Sequence, residues 1–262
     1  MENSDADRGS GAFDLIRLRA GLKPFRLYWF PRLRSTNDHA AALRKRGELF
    51  APAVVLTGRQ TSGRGRGGNA WWSGGGVLTV TFALPIEEHL AAYQVPLAAG
   101  LAVRNAAAEL TGVEAVSLKW PNDILHDNRK LAGLLCERVH HVDLIGVGMN
   151  VNVAAREAPS ELRARITSLR DITARASDMT DALLAVARHL QRTLSLRKEH
   201  PFPAILKEYD RHHALVGRQV RVVNANEPAV TGVCQGLDDL GRLVLRSAST
   251  THRVIAGHVE VL

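Results

Sequence analysis

Short apolar runs rich in β-branched and aromatic residues recur through the first 150 positions, separated by polar and glycine-bearing stretches. Arg26–Phe30 (RLYWF), Pro52–Thr57 (PAVVLT) and Val77–Leu84 (VLTVTFAL) read as strands. Ser35-Thr36-Asn37-Asp38 offers capping oxygens ahead of HAAALRKRG, which predicts a helix stopping at Gly47. A second helix is expected over Leu97–Leu110, ending near Gly112. Ala115–Trp120, Leu131–Val139 and Val142–Met149 follow as strands, with Asp127-Asn128 suited to a hairpin turn between the first two. Residues 160–212 turn mostly helical, most clearly at Asp181–Arg197. From Gly217 the pattern changes to short strands broken by Asn, Gly, Asp and Ser, five in fewer than fifty residues, which predicts a small barrel. The pattern divides the chain into a loose tail at 1–11, a main domain at 12–213 and a C-terminal unit at 214–262. The fold class is α+β, a mixed sheet flanked by helices.

Composition excludes more than it selects. The chain has 262 residues, 45% apolar and 23% charged, ordinary values for a soluble globular protein. No apolar run approaches the ~20 residues that span a bilayer, and the polar, acidic start lacks a secretory pattern. Cys136 and Cys234 cannot form a disulfide framework and read as small buried residues in a reducing, cytoplasmic compartment. The net charge of +8 fits an anionic partner without choosing one. Only six of the basic residues are lysines, which draws attention to Lys119 and Lys130 in one short segment.

Three segments carry candidate chemistry. Gly58–Trp71 alternates glycines with arginines, so backbone N–H groups and planar guanidinium donors can surround a carboxylate or a phosphate. It is neither a Walker loop nor a dinucleotide fingerprint. The same composition suits a surface hairpin or an Arg/Gly nucleic-acid segment, and the loop alone does not decide. Trp71-Trp72 suits either base stacking or the core. Lys119–Gly133 (KWPNDILHDNRKLAG) ends a strand sharply at Pro121 and places Asp123 and Lys130 near a turn, as site groups or as plain surface charges. In Ile145–Asn152 (IGVGMNVN) two strand glycines imply close approach of a ligand or of another part of the chain. Asn150 offers the donor and acceptor needed to read an adenine edge, or is a turn residue. His126, His140-His141 and His212-His213 read as surface or turn residues.

Together Ser35-Thr36-Asn37, GRGRGGNAW (63–71), KWPNDI (119–124), RKLAGLL (129–135) and GVGMNVN (146–152) resemble the biotin protein ligases. The resemblance implies an ATP-dependent enzyme that makes biotinyl-5′-AMP and transfers biotin to a lysine of a biotin carboxyl carrier domain of a carboxylase. It implies a sheet related to lipoate ligases and class II synthetases, followed by an SH3-like barrel. It places Ser35, Thr36, Asn37 and Gln60 on the biotin head, and Gly63, Arg64, Gly65 and Arg66 in a loop closing over biotin and adenylate. Lys130 would bridge the biotin carboxyl and the α-phosphate, with Arg66 near the phosphate and Asp123 in the surrounding network. Gly133 would pack by the biotin tail, Trp71 on adenine, and Asn150 at the adenine edge. Mg²⁺ would be held mainly by ATP phosphates, its protein ligands being unassigned. Thirty-four residues precede Ser35 without a helix-turn-helix, so a ligase without specific DNA binding is expected. No membrane association is expected, and a homodimer stays open. The rival readings are a lipoate or octanoate ligase of the same fold and, from a different class, an Arg/Gly nucleic-acid module. The loop at 58–76 is expected to be mobile without ligand, because ordering its glycines is costly.

Overall fold

The computed structural model describes residues 12–87, 90–199, 202–224, 227–248 and 250–262; the expected tail at 1–11 lies outside the described residues. Leu15–Gly21 forms α1, Arg26–Phe30 β1, Thr36–Lys45 α2 and Ala53–Thr57 β2. The short strands Gly63–Arg64 (β3) and Ala70–Trp71 (β4) precede Val77–Pro85 (β5) and Val95–Thr111 (α3). Next come Ser117–Lys119 (β6), Asp123–His126 (β7), Arg129–Val139 (β8) and Val142–Asn150 (β9). Helices follow at Ser160–Arg163 (α4), Leu169–Thr173 (α5), Met179–Glu199 (α6) and Phe202–Arg211 (α7). The described chain ends in Gln219–Asn224 (β10), Glu227–Leu237 (β11), Leu243–Ser247 (β12), Thr250–Val254 (β13) and His258–Val261 (β14). Among the described residues no helix is long and apolar enough to cross a membrane.

The main sheet runs β1-β2-β5-β9-β8-β7-β6. It is mixed, with β1 parallel to β2 and the other neighbours antiparallel. Alternation along each strand separates its two faces. Leu78, Val80 and Phe82 of β5 join Ile145, Val147 and Met149 of β9 in a core with α3 and α6. Each such side chain, fully buried, contributes roughly 1.5–3 kcal/mol. The intervening positions face the other way. There α2 covers one end, packing Ala40 and Leu43 on Val55, Ala83 and Leu144. Beyond α2 this second face carries threonines, glycines and charges.

Local signals set the boundaries. Ser35 caps α2, its hydroxyl accepting from the Asp38 N–H, and Gly47 follows the helix at φ 74°. Gly112 ends α3 in the left-handed region at φ 69°. The Asp127-Asn128 turn is present, with φ of 50° and 59°. The residues before it form β7, a strand that sequence periodicity did not separate from the turn. Two adjacent apolar residues, Ile124 and Leu125, are too few to show a period.

The C-terminal strands form an antiparallel sheet, β13-β12-β11-β10-β14. The expected SH3-like barrel is therefore corrected to an open five-stranded sheet among the described residues. Four-residue β14 is paired with β10, so Ile255–Gly257 carries the chain to the edge opposite β13, and the ends do not meet. This sheet sits at the β6 end of the main one. The Leu118 N–H donates to the His212 carbonyl, and Ala214 N–H donates to that of Leu118 (2.7 and 2.8 Å). The same bonds correct the reading of His213, whose side chain is wholly buried against Tyr209. His140 and His141 do occupy a turn, between β8 and β9. Cys234 is buried and Cys136 half-buried, both as free thiols.

Candidate active site

The polar end of the second face starts at the N-terminus of α2. Ser35, Thr36 and Asn37 are all buried, as is Gln60. The Thr36 N–H donates to Gln60 Oε1 at 2.9 Å, and Gln60 Nε2 donates to Ser73 Oγ at 3.2 Å. Thr81 Oγ1 lies 2.8 Å from Thr36 Oγ1 and 2.6 Å from Asn37 Oδ1. Asn37 Nδ2 donates to the Leu135 carbonyl and to the Glu137 carboxylate, at 3.0 and 2.8 Å. Gly146 makes room for this cluster, since a Cβ there would lie 2.3 Å from Asn37 Oδ1. The sequence pointed to Ser35, Thr36, Asn37 and Gln60. It missed Thr81, Glu137 and Ser73, although threonine at alternate positions of β5 was a usable sign for the first.

The Arg/Gly segment folds over this face. Gly63 and Arg64 pair with Trp71 and Ala70, and Gly65 N–H donates to the Asn69 carbonyl. Gly63 is confined, because a Cβ there would lie 2.5 Å from the Trp71 carbonyl oxygen. Arg64 is exposed and reaches Asp38 at 2.6 Å and Glu137 at 2.9 Å. Arg66 is half-buried and donates to Asn122 Oδ1 at 3.2 Å. Burial lowers the Arg66 pKa, and the nearby Asp123 opposes that.

Trp71 lies on the strand glycines. A Cβ on Gly148 would meet its indole at 2.3 Å, and one on Gly133 would meet it at 3.3 Å and Lys130 Nζ at 2.9 Å. Lys130 Nζ stands 5.5 Å from the Trp71 ring centroid, a cation–π contact. The indole N–H is buried without a partner among the described residues. The close approach expected of the glycines is therefore made by the chain's own side chains, Asn37 over Gly146 and Trp71 over Gly148.

Asp123 and Lys130 form an ion pair, Oδ1 to Nζ at 2.6 Å, short but poorly aligned for a hydrogen bond. Burial lowers the Lys119 pKa; Asp123 counters it, and Lys130 and Arg165 add to it. Asp123 thus acts on three cations, Arg66, Lys119 and Lys130, while Lys119 also feels Arg165 and the Glu260 carboxylate. Asn150 ties this region together, its amide donating to the carbonyls of Lys130 (3.2 Å) and Thr167 (3.0 Å). Thr167 Oγ1 is buried and unpartnered among the described residues, and nothing in the sequence marked it. Burial pushes the Cys136 thiol far above its ordinary range, which removes it as a nucleophile. The face therefore suits electrostatic work on an anion beside an aromatic plane, with a dense cluster of polar side chains at one end.

Comparison with known proteins points to one family. Residues 29–153 match the biotin/lipoate A/B protein ligase family, and residues 215–262 match the biotin protein ligase C-terminal domain. The biotin–[acetyl-CoA-carboxylase] ligase of Mycobacterium tuberculosis is 32% identical over 235 residues, covering 86% of this chain and 85% of the relative. The enzyme of the same name from Paracoccus denitrificans is 29% identical, covering 86% and 97%. The structure of Aquifex aeolicus biotin protein ligase in complex with biotin and ATP superposes with a TM-score of 0.82 at 30% identity, covering 90% of this chain and 98% of the other.

Proposed function

The chain belongs to the biotin protein ligase family, and we propose that its polar sheet face joins biotin to ATP and then passes biotin to a carrier-domain lysine. The first step sets two anions against each other, a biotin carboxylate and an α-phosphate. Their repulsion grows in a dry site, so fixed cations must offset it in the transition state. Lys130, held beside Asp123, is the main catalytic cation, and Arg66 on the flap adds a second. The observation that carries this reading is the Lys130–Asp123 pair under Trp71, within a surplus of positive charge.

The network of Ser35, Thr36, Asn37 and Gln60 suits a ureido head, which needs both donors and acceptors. Each buried ureido group left unpaired would cost about 1–3 kcal/mol. Gly63, Arg64 and Gly65 form the part of the flap that closes over biotin, and Gly133 leaves room for the tail beside Lys130. Trp71 supplies the plane for adenine. Asn150, its hydrogens engaged, meets the adenine 6-amino group through its carbonyl oxygen.

Mg²⁺ is usually held by one or two carboxylates together with substrate phosphates. Asp123 is the carboxylate beside Lys130, and the described residues contain no cluster of three acidic, His or Cys side chains. That donor set fits an ion carried in by ATP phosphates and touched by Asp123. Bound there, Mg²⁺ would screen phosphate charge.

In the second step a neutral lysine amine of a carboxylase carrier domain attacks the acyl carbon of the mixed anhydride. The carbon–oxygen bond to AMP breaks, AMP leaves, and the amine's surplus proton is released to water. Two measurements test the reading. Pyrophosphate release should depend on biotin; release with lipoate alone refutes the substrate. Lys130→Ala should lower adenylate formation by about 10²–10³-fold with thermal unfolding unchanged; intact turnover refutes the role of Lys130.

A further inference from the structure

A single row of residues crosses the site. Thr79 of β5 faces Gly148 of β9, which faces Gly133 of β8, then Asp123 of β7, then Lys119 of β6. Direct cross-strand neighbours point to the same face. Leu118 and Ile124, the adjacent residues, lie in the core on the other side. The row therefore presents Asp123 and Lys119 on the face that holds Trp71. The biotin-side groups lie at its other end, with Thr81 on β5 and Gly146 on β9 around Asn37. Strands are spaced by about 4.8 Å, so Lys119 stands roughly 10 Å beyond β8, where Lys130 sits.

Lys119 has no role so far. It is half-buried, and among the described residues it makes no ion pair, since the close partner of Asp123 is Lys130. Its ammonium is desolvated; Asp123 across the strand pair and Glu260 offset part of that cost, and Lys130 and Arg165 add to it. An incoming anion would relieve it.

Displacement at phosphorus keeps the entering and leaving oxygens roughly in line. If the carboxylate enters from the β5–β9 side and the α-phosphate rests by Lys130, the leaving group departs toward β7 and β6. We propose that Lys119 is a further catalytic residue, whose ammonium receives the departing pyrophosphate. The inference rests on the ligase reading above. In this step a bond forms from a biotin carboxylate oxygen to the α-phosphorus. The bond from that phosphorus to its bridging oxygen breaks, and the electron pair leaves with pyrophosphate. No proton moves; Lys119 keeps its proton and pairs with the new charge. In the transfer step the leaving group is AMP and no pyrophosphate is present, so Lys119 has nothing to receive.

That asymmetry supplies the experiment. Lys119→Met and Lys119→Arg are compared with wild type in two separate assays, single-turnover adenylate formation from biotin and ATP, and transfer to a carrier domain from chemically supplied biotinyl-5′-AMP. Thermal unfolding and biotin affinity serve as fold controls. Lys119→Met should lower adenylate formation by about 100-fold, leave transfer within about twofold, and weaken inhibition by added pyrophosphate by about 10-fold. Lys119→Arg should recover most of the loss. Unchanged adenylate formation overturns the proposal, and so does a parallel fall in both half-reactions, which marks a structural role. Wild type that forms no adenylate would instead sink the ligase reading itself.

Discussion

Gly148→Ala tests whether Trp71 lies on the sheet in the state that takes nucleotide. A Cβ at 148 would stand 2.3 Å from Trp71 Cε2 and 2.5 Å from Cζ2. Carbon atoms prefer about 3.5–4.0 Å, so the ring must retreat by more than about 1 Å. The strand cannot give way, because Gly148 is paired with Thr79 on one side and Gly133 on the other. Inserting one methyl into packed structure costs about 1–3 kcal/mol. Where nucleotide binding needs the ring back on the sheet, that cost corresponds to a roughly 5- to 150-fold rise in the KM for ATP; the strand-glycine entropy of about 0.5–1 kcal/mol enters unfolding only. Steady-state adenylate formation measures it, and a double-mutant cycle with Trp71→Leu isolates its origin. In the Trp71→Leu background most of the penalty should vanish. An equal penalty there, or none in the wild-type background, refutes the reasoning. The neighbouring change separates the two ends of the site. Gly146→Ala aims its methyl at Asn37 Oδ1, also at 2.3 Å, and should raise the KM for biotin instead.

Other outcomes follow from the same contacts. Glu137→Gln keeps the shape but removes the charge that Asn37 and Arg64 both engage. Arg64 is exposed, so its share is about 0.2–1 kcal/mol. Weakening the half-buried Asn37 bond brings the expected loss of biotin affinity to about 10-fold, with the KM for ATP unchanged. Isothermal titration with biotin checks it, and unaltered affinity removes Glu137 from the pocket. Amide exchange over residues 63–71 should slow on adding biotin and ATP together, because the ligand contacts offset the cost of ordering about 1–2 kcal/mol per residue. Equal protection without ligands contradicts the expectation of a mobile loop.

Much of the main sheet was legible because β1, β2, β5 and β9 each carry enough apolar or β-branched residues to show their type alone. Asp123–His126 was not, since its strand character comes from pairing with β6 and β8 rather than from its own pattern. The C-terminal strands were legible one by one, whereas barrel closure depends on where β14 pairs, a non-local fact. The site divides in the same way. Lys130, Arg66 and Gln60 stand inside motifs whose residue order carries information. Thr81, Glu137, Ser73 and Thr167 are ordinary residues in ordinary surroundings, and tertiary register alone brings them to Asn37, Gln60 and Asn150.

The placement of the charges depends on residues that touch no substrate. In β6 and β7 the positions alternate, Leu118 and Ile124 toward the core, Lys119 and Asp123 toward the site. A slip of one residue along either strand would exchange these sets. An ionised side chain would then enter a core built from Phe82, Val147 and Leu101, at a penalty of several kcal/mol. Burial of Leu118 and Ile124 therefore fixes where Asp123 stands relative to Lys130. The apolar alternation on the hidden face thereby sets the spacing of the polar row, with one strand supplying the polar end of the acyl pocket, the next two the glycines beneath the indole, and the last two the charges. A substitution that loosened the hidden side, such as Ile124→Ala, acts on the reaction by letting that row drift, even though the altered side chain faces away from it.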